Sequence, residues 1–396
     1  MRYLILSLCI LVSCANKSSI TPKESENQEL LIIDVTKEYP VKVINVQDIA
    51  DVEYIPLETN DSTLIEGWFP DAVSEKYIVY HNRNGQVNVF NRKGKSLYSF
   101  SRRGGSNEEY NSIHDIVLDE EKKELYIVES GLYSKIFVYS LDGTFKRKFV
   151  LPAKHNSAYL LDYDENFLIC YNNYYLDVLW RQLDQKEIEL RDNPYYFISK
   201  TTGDMTPLNY YIPNRIGNQL RLMRANGDGL SYQANIEPIV KNGSEIIISE
   251  FADDTIYSLK NKKLSPIMVK NPSAHKFTPP MMVAVEFFTD RYVSINILEK
   301  IFDGTKPKKN SMVYDKHLKE FCRLDLLNKD YTIKRSVKGP VKDRCALPRN
   351  TIINVLYAEN LIKDNEAGKL EGKLKHIASK LKEDDNPVIM LMKFKE

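Results

Sequence analysis

After its first dozen residues the sequence has no run long and apolar enough to cross a bilayer as a helix, which takes about 20 residues. Cysteine is scarce. Beyond Cys9 and Cys14, only Cys170, Cys322 and Cys345 remain, with no CxxC or Cys/His spacing that would point to zinc. Cys170 lies in the apolar run Phe167-Leu168-Ile169 and reads as a buried small hydrophobe, while Cys322 with Cys345 is the one pair to consider for a disulfide. Net charge is also lacking, with 55 basic against 54 acidic residues. Nucleic-acid binding needs a basic field, so that neutrality excludes it as the main activity. The motifs that mark common catalytic centres are missing as well. No GxSxG elbow, HExxH, Walker loop or EF-hand loop occurs, and the six histidines are scattered. No metal and no cofactor is implied.

The N-terminus is the most legible part of what is present. Arg2 supplies a positive start and Leu4 to Val12 a short apolar run, the order of a secretory signal. Leu11-Val12-Ser13-Cys14 then resembles the bacterial lipobox, in which a small residue precedes the cysteine that becomes diacylated. Residues 1–13 are therefore expected to be removed and Cys14 to carry the lipid. Residues 14–29 are polar, too poor in apolar side chains to fold, and read as a leash. Ala15 follows the cysteine in place of an inner-membrane-retaining Asp, and no acidic pair follows it. The expected destination is the outer membrane, facing the periplasm, with the lipid as the contact to the membrane.

Residues 30–396 are expected to form one domain. Short runs rich in Val, Ile, Tyr and Phe alternate with turn residues, the pattern of an all-β fold made of small sheets. The best-formed unit is Tyr77 to Tyr80, a turn ending at Gly85, Gln86 to Phe90, a turn ending at Gly94, and Ser96 to Phe100. Equivalent turns recur around Gly143, Gly203 and Asn261, and around Leu318, which breaks the pattern of glycine or asparagine. The mean spacing of about 56 residues, each unit holding about four strands, implies a six-bladed β-propeller. The sixth blade must then be shared between the termini: Thr351 to Tyr357, Pro387 to Phe394, and Val52 to Leu57 from the start of the chain. Leu370, Leu374, Ile377, Ala378 and Leu381 form an apolar stripe that predicts one helix over about 360–384, inserted in that blade and packed on the propeller flank.

Glu53 to Thr59, Ser101 to Tyr110 and Asp384 to Met390 resemble the entry strand, inter-blade loop and ending of the six-bladed β-propeller lipoproteins of Bacteroidota, distant relatives of NHL-repeat propellers. Asn107-Glu108 stands where that family often has Pro-Gly. The resemblance implies a binding role at the periplasm or cell surface and no agreed reaction.

Three groups are candidates for a site. Asp71, His114 and Asp115 open the innermost strands of blades one and two, where polar groups can converge on a ligand or ion or hydrogen-bond neighbouring blades. Arg102 and Arg103, beside Gly104-Gly105, could offer cations and backbone N–H groups to an anion, although Glu109 and Tyr110 read as fixing the crossover between blades. Tyr174 and Tyr175, with Trp180, pair exposed aromatics with amides, which suits a sugar or peptide surface or simply an aromatic blade edge. Two functions are compatible with these features. One is a non-catalytic binding or scaffolding propeller with a protein, peptide or glycan partner. The other is a metal-dependent hydrolase or lyase of the six-bladed lactonase type, which needs channel carboxylates from at least three blades.

Overall fold

The computed structural model describes residues 30–66, 69–129, 135–152, 159–173, 176, 182–223, 229–234, 236–337 and 347–396. The strands fall into small antiparallel sheets. Residues 72–101, 115–150 and 159–207 form blades one to three, with four strands each. Residues 239–271 and 281–327 form blades four and five. Thr351–Leu356, Val388–Phe394 and Ala50–Pro56 make up the described part of blade six. A hairpin, Gln219–Met223 with Gly229–Gln233, stands between blades three and four.

The ring is the reason these strands are so apolar. Each blade packs face to face on two neighbours, so its central strands are buried on both sides. All six residues of Glu124–Glu129 are buried, and so are six of the seven in Val388–Phe394. Each junction of consecutive blades has its own apolar cluster. Val79 and Val89 meet Ile116 and Ile127 between blades one and two. Ile55 and Ile389 meet Ile78 and Phe90 between blades six and one. The remaining four junctions are filled in the same way.

Ring closure depends on the two ends of the chain. Ala50–Pro56 lies antiparallel to Val388–Phe394, with Ile55 opposite Ile389 and Val52 opposite Met392. The outer hairpins show which place Ala50–Pro56 takes. Gly143 and Gly203, with φ of 83° and 78°, pack on Phe100 and Phe149 in the outermost strand of the preceding blade. Gly94 packs in the same way on Ile55 and Pro56. The N-terminal strand is thus the outermost strand of blade six. Where the repeat reaches Leu318, the left-handed residue is Lys319 (φ 55°), one position later, because Asp315 Oδ1 accepts the N–H groups of His317 and Leu318.

Two features differ from the sequence reading. Leu31–Asp34 and Val41–Asn45 add in parallel to the outer edges of blades four and five, so each of these sheets has five strands. The start of the chain therefore runs along the rims of blades four, five and six in turn. The expected single helix is two short ones, Ala358–Glu366 and Gly372–Ala378, because Gly368 and Gly372 take φ of 67° and 58° and interrupt it. Leu370, Leu374 and Ala378 are still buried, against Leu361 and Val388, on the flank of blade six.

Candidate functional site

At the central opening, Asp71 precedes the inner strand of blade one and is buried. Its Oδ2 accepts the backbone N–H of His81 at 2.8 Å and lies 2.8 Å from His81 Nδ1. Asp115 is also buried, and its Oδ1 accepts the N–H of Ile116 at 3.0 Å. His114 is exposed, and its backbone N–H donates to Val128 O. Asp71 therefore braces the end of the second strand of its own blade. Among the described residues no group of three His, Cys, Asp or Glu side chains is placed to hold a metal.

The loop after blade one is a brace. Arg102 Nε donates to Gly143 O at 2.9 Å, reaching the outer hairpin of blade two, and Arg103 Nε donates to Asn111 O at 3.0 Å. Tyr110 is fully buried; its hydroxyl donates to Gly85 O at 2.7 Å and accepts the N–H of Arg102. Glu109 accepts the N–H of Ser106, which holds its carboxyl below the usual range. Both arginines direct Nε at carbonyls and Tyr110 pins the crossover. Cys14, Cys345, Tyr174, Tyr175 and Trp180 lie outside the described residues. Cys322 is buried, and the Cys170 thiol is pushed up to about 12 by complete burial.

Sequence reading missed a charged cluster between blades three and four. Arg215, from the segment joining them, donates to Glu250 Oε1 (3.1 Å), Tyr171 Oη (2.9 Å) and the carbonyls of Asn172 and Arg191. Tyr195 Oη adds a bond to Glu250 at 3.0 Å. Burial alone would push the guanidinium down, but Glu250 and the two tyrosines hold it above its usual value. Lys270 lies close by, bonded to the carbonyls of Glu250 and Asp253, and burial pushes it down to about 8. The Arg215 and Glu250 side chains are wholly buried, so this pair rivets two blades together.

The arrangement best suited to recognition is a cleft of about 310 Å³ beside the helical insertion. Its floor is apolar: Phe69, Val355, Leu356, Leu361 and Met390. Its rim carries Tyr331, Tyr357, Asn354, Asn360, Arg335 and Asp364. The 328–331 segment is fixed from below. Tyr54 Oη donates to Asp330 Oδ2 at 2.7 Å, and Gln47 Nε2 donates to Asn328 Oδ1 at 2.7 Å. Arg335 lies over the ring of Tyr331, 5.6 Å from its centroid, and Asp364 is 3.3 Å from Lys369 Nζ. An apolar floor with a few polar groups on a rigid rim can hold a ligand in one orientation. Tyr331 and Leu370 form an isolated bridge that ties the two walls together. Nothing local in the sequence marks this site, because its walls come from segments separated by a whole strand.

No helix among the described residues is long and apolar enough to cross a membrane. No curated protein matches the chain. Among solved structures, a Bacteroides fragilis NCTC 9343 protein named as an exported protein is similar in fold, with 15% identity, a TM-score of 0.60, and coverage of 92% of this chain and 100% of that one. A DUF4221 family member from Bacteroides vulgatus ATCC 8482 matches at 8% identity with a TM-score of 0.46, over 88% of this chain and 99% of the other. Across residues 30–393 the chain matches the model of a domain of unknown function, DUF4934, and it belongs to that family.

Proposed function

We propose that this protein is a non-catalytic binding propeller of the cell envelope, tethered to the outer membrane by lipid on Cys14 and facing the periplasm. Its ligand is a polypeptide segment held in the cleft beside the helical insertion. The observation that carries this reading is the cleft itself, where an apolar floor is rimmed by two tyrosines, two amides and a guanidinium. Val355, Leu356 and Met390 suit an apolar side chain better than the hydroxyls of a sugar. The lipobox-like Val12-Ser13-Cys14 supports the tether, and the likeness in fold to a protein named as exported is in keeping with it. The experiment is a pull-down of the lipidated protein from its own membranes, beside Tyr357→Ala and a Thr202→Ala control. Loss of one captured polypeptide with Tyr357→Ala alone is expected. Equal capture by all three proteins contradicts the assignment, and capture of a glycan would change the ligand class.

A further inference from the structure

A second surface has a different character. Where blades four and five meet, away from the cleft, a groove of about 710 Å³ is lined by Leu30, Ile32, Lys260, Lys316 and Lys319. Beside it stand two outer hairpins, Lys260-Asn261-Lys262-Lys263 and Lys316-His317-Leu318-Lys319. Leu318 is the position where the repeat departs from glycine or asparagine. Its side chain is 57% exposed at the hairpin tip, and Ile32 on the rim strand is 61% exposed. The acids of the groove are already occupied: Glu245 by Lys260 at 3.2 Å, and Asp290 by Arg349 and Asn350. Lys263 and Lys319 are exposed beside them. The surface thus combines protruding aliphatic side chains with cations that the local acids do not balance.

The described residues begin at Leu30, on the rim of blade four and within the groove. Cys14 lies sixteen peptide steps earlier, a reach of at most roughly 55 Å at 3.3–3.6 Å per residue. With Cys14 carrying the lipid, this rim lies within that reach of the bilayer. Resting on that tether, we infer that the blade four–five hairpins lie against the anionic headgroups of the bilayer, with Leu318 and Ile32 entering the interface and Lys263 and Lys319 reading the phosphates. Aliphatic tips flanked by lysines gain from both apolar burial and electrostatic attraction at a lipid surface. Each lysine near such a surface contributes about a fivefold gain in affinity. The cleft is then left free for its partner.

The test uses the full chain carrying Cys14→Ser, so that no lipid contributes, in flotation with vesicles of phosphatidylcholine alone or with phosphatidylglycerol added. Binding is expected to the anionic vesicles only and to weaken with salt. Lys263→Glu with Lys319→Glu should lower it at least about tenfold, and Leu318→Asp should lower it severalfold with the melting temperature unchanged. Arg335→Glu, in the cleft, should leave it unchanged. Equal binding to neutral vesicles, no binding to either, or binding untouched by the lysine reversals overturns the inference. So does binding only when membrane proteins are reconstituted, which would make the surface a protein contact. Membrane fractionation of the protein with and without Cys14→Ser tests the tether separately, and its result does not depend on the vesicles.

Discussion

Alanine substitutions at three glycines should rank in a definite order, because the outer hairpins of the propeller are packed on the neighbouring blade. At Gly143, φ is 83°, and a Cβ would lie 2.4 Å from Cγ of Phe100 in blade one. The left-handed backbone costs a non-glycine residue roughly 1–2 kcal/mol. Overpacking against the ring adds about 1–3 kcal/mol, lessened as far as the ring can turn. Gly143→Ala should therefore cost about 2–4 kcal/mol. Gly94→Ala should cost more, since its Cβ would lie 2.0 Å from the carbonyl oxygen of Pro56, and backbone in the closing strand must move. Gly105→Ala should be nearly silent, with no atom within 4 Å of the added carbon. Chemical denaturation of the three variants gives the order. A double variant with Phe100→Ala isolates the contact at Gly143, where only the left-handed part, about 1–2 kcal/mol, should remain. If Gly94→Ala and Gly143→Ala were no worse than Gly105→Ala, the hairpins would not be the inter-blade contacts described here.

Deleting Pro387 to Glu396 removes the strand between Thr351–Leu356 and Ala50–Pro56. The product should lose cooperative unfolding, and a soluble truncation melting at the original temperature would contradict the closure of the ring. The Glu124 carboxyl is pushed up by burial, but hydrogen bonds from Arg147, Tyr126 and Lys146 outweigh this and bring it down to about 2. A lowered folded pKa stabilises above the unfolded value of 4.5 and is lost as pH falls from there toward 2. The stability gap between wild type and Glu124→Gln should thus be full at pH 7 and shrink below pH 4.5. A gap constant down to pH 2.5 would refute this. Asp71 is engaged with His81, so the melting temperature should be the same in millimolar calcium and in chelator. A calcium-dependent rise abolished by Asp71→Asn would restore the lactonase-like reading.

The propeller was legible because its local rules repeat. The turns at Gly94, Gly143, Gly203 and Asn261 all take positive φ, as a hairpin with a polar tip requires. The closing pair of terminal strands followed from the blade count. The rim strands Leu31–Asp34 and Val41–Asn45 were not legible, since four or five apolar residues say nothing about which distant edge they join. The split helix could have been read from Gly368 and Gly372, but the apolar stripe from Leu370 runs across Gly372 and hides the break. Site residues were harder still. Glu109 and Tyr110 were read as fixing the blade crossover, and Tyr110 bonds Gly85 and Arg102 there; Arg102, read as a cation for an anion, donates to Gly143 O. Asp71 finds a partner ten residues along its own blade. The Arg215–Glu250 pair and the cleft at Tyr331 and Tyr357 arise from long-range packing that no local spacing encodes.

The cleft is the centre of the functional account, and crosslinking in the living cell tests it most directly. A photo-reactive phenylalanine at Asn360, on the cleft rim, is compared with one at Thr202, in the outer hairpin of blade three. A discrete polypeptide adduct at 360 that is absent at 202 and lost with Arg335→Glu is the predicted result. Adducts of equal yield at both positions, or one at 360 indifferent to Arg335→Glu, would contradict it.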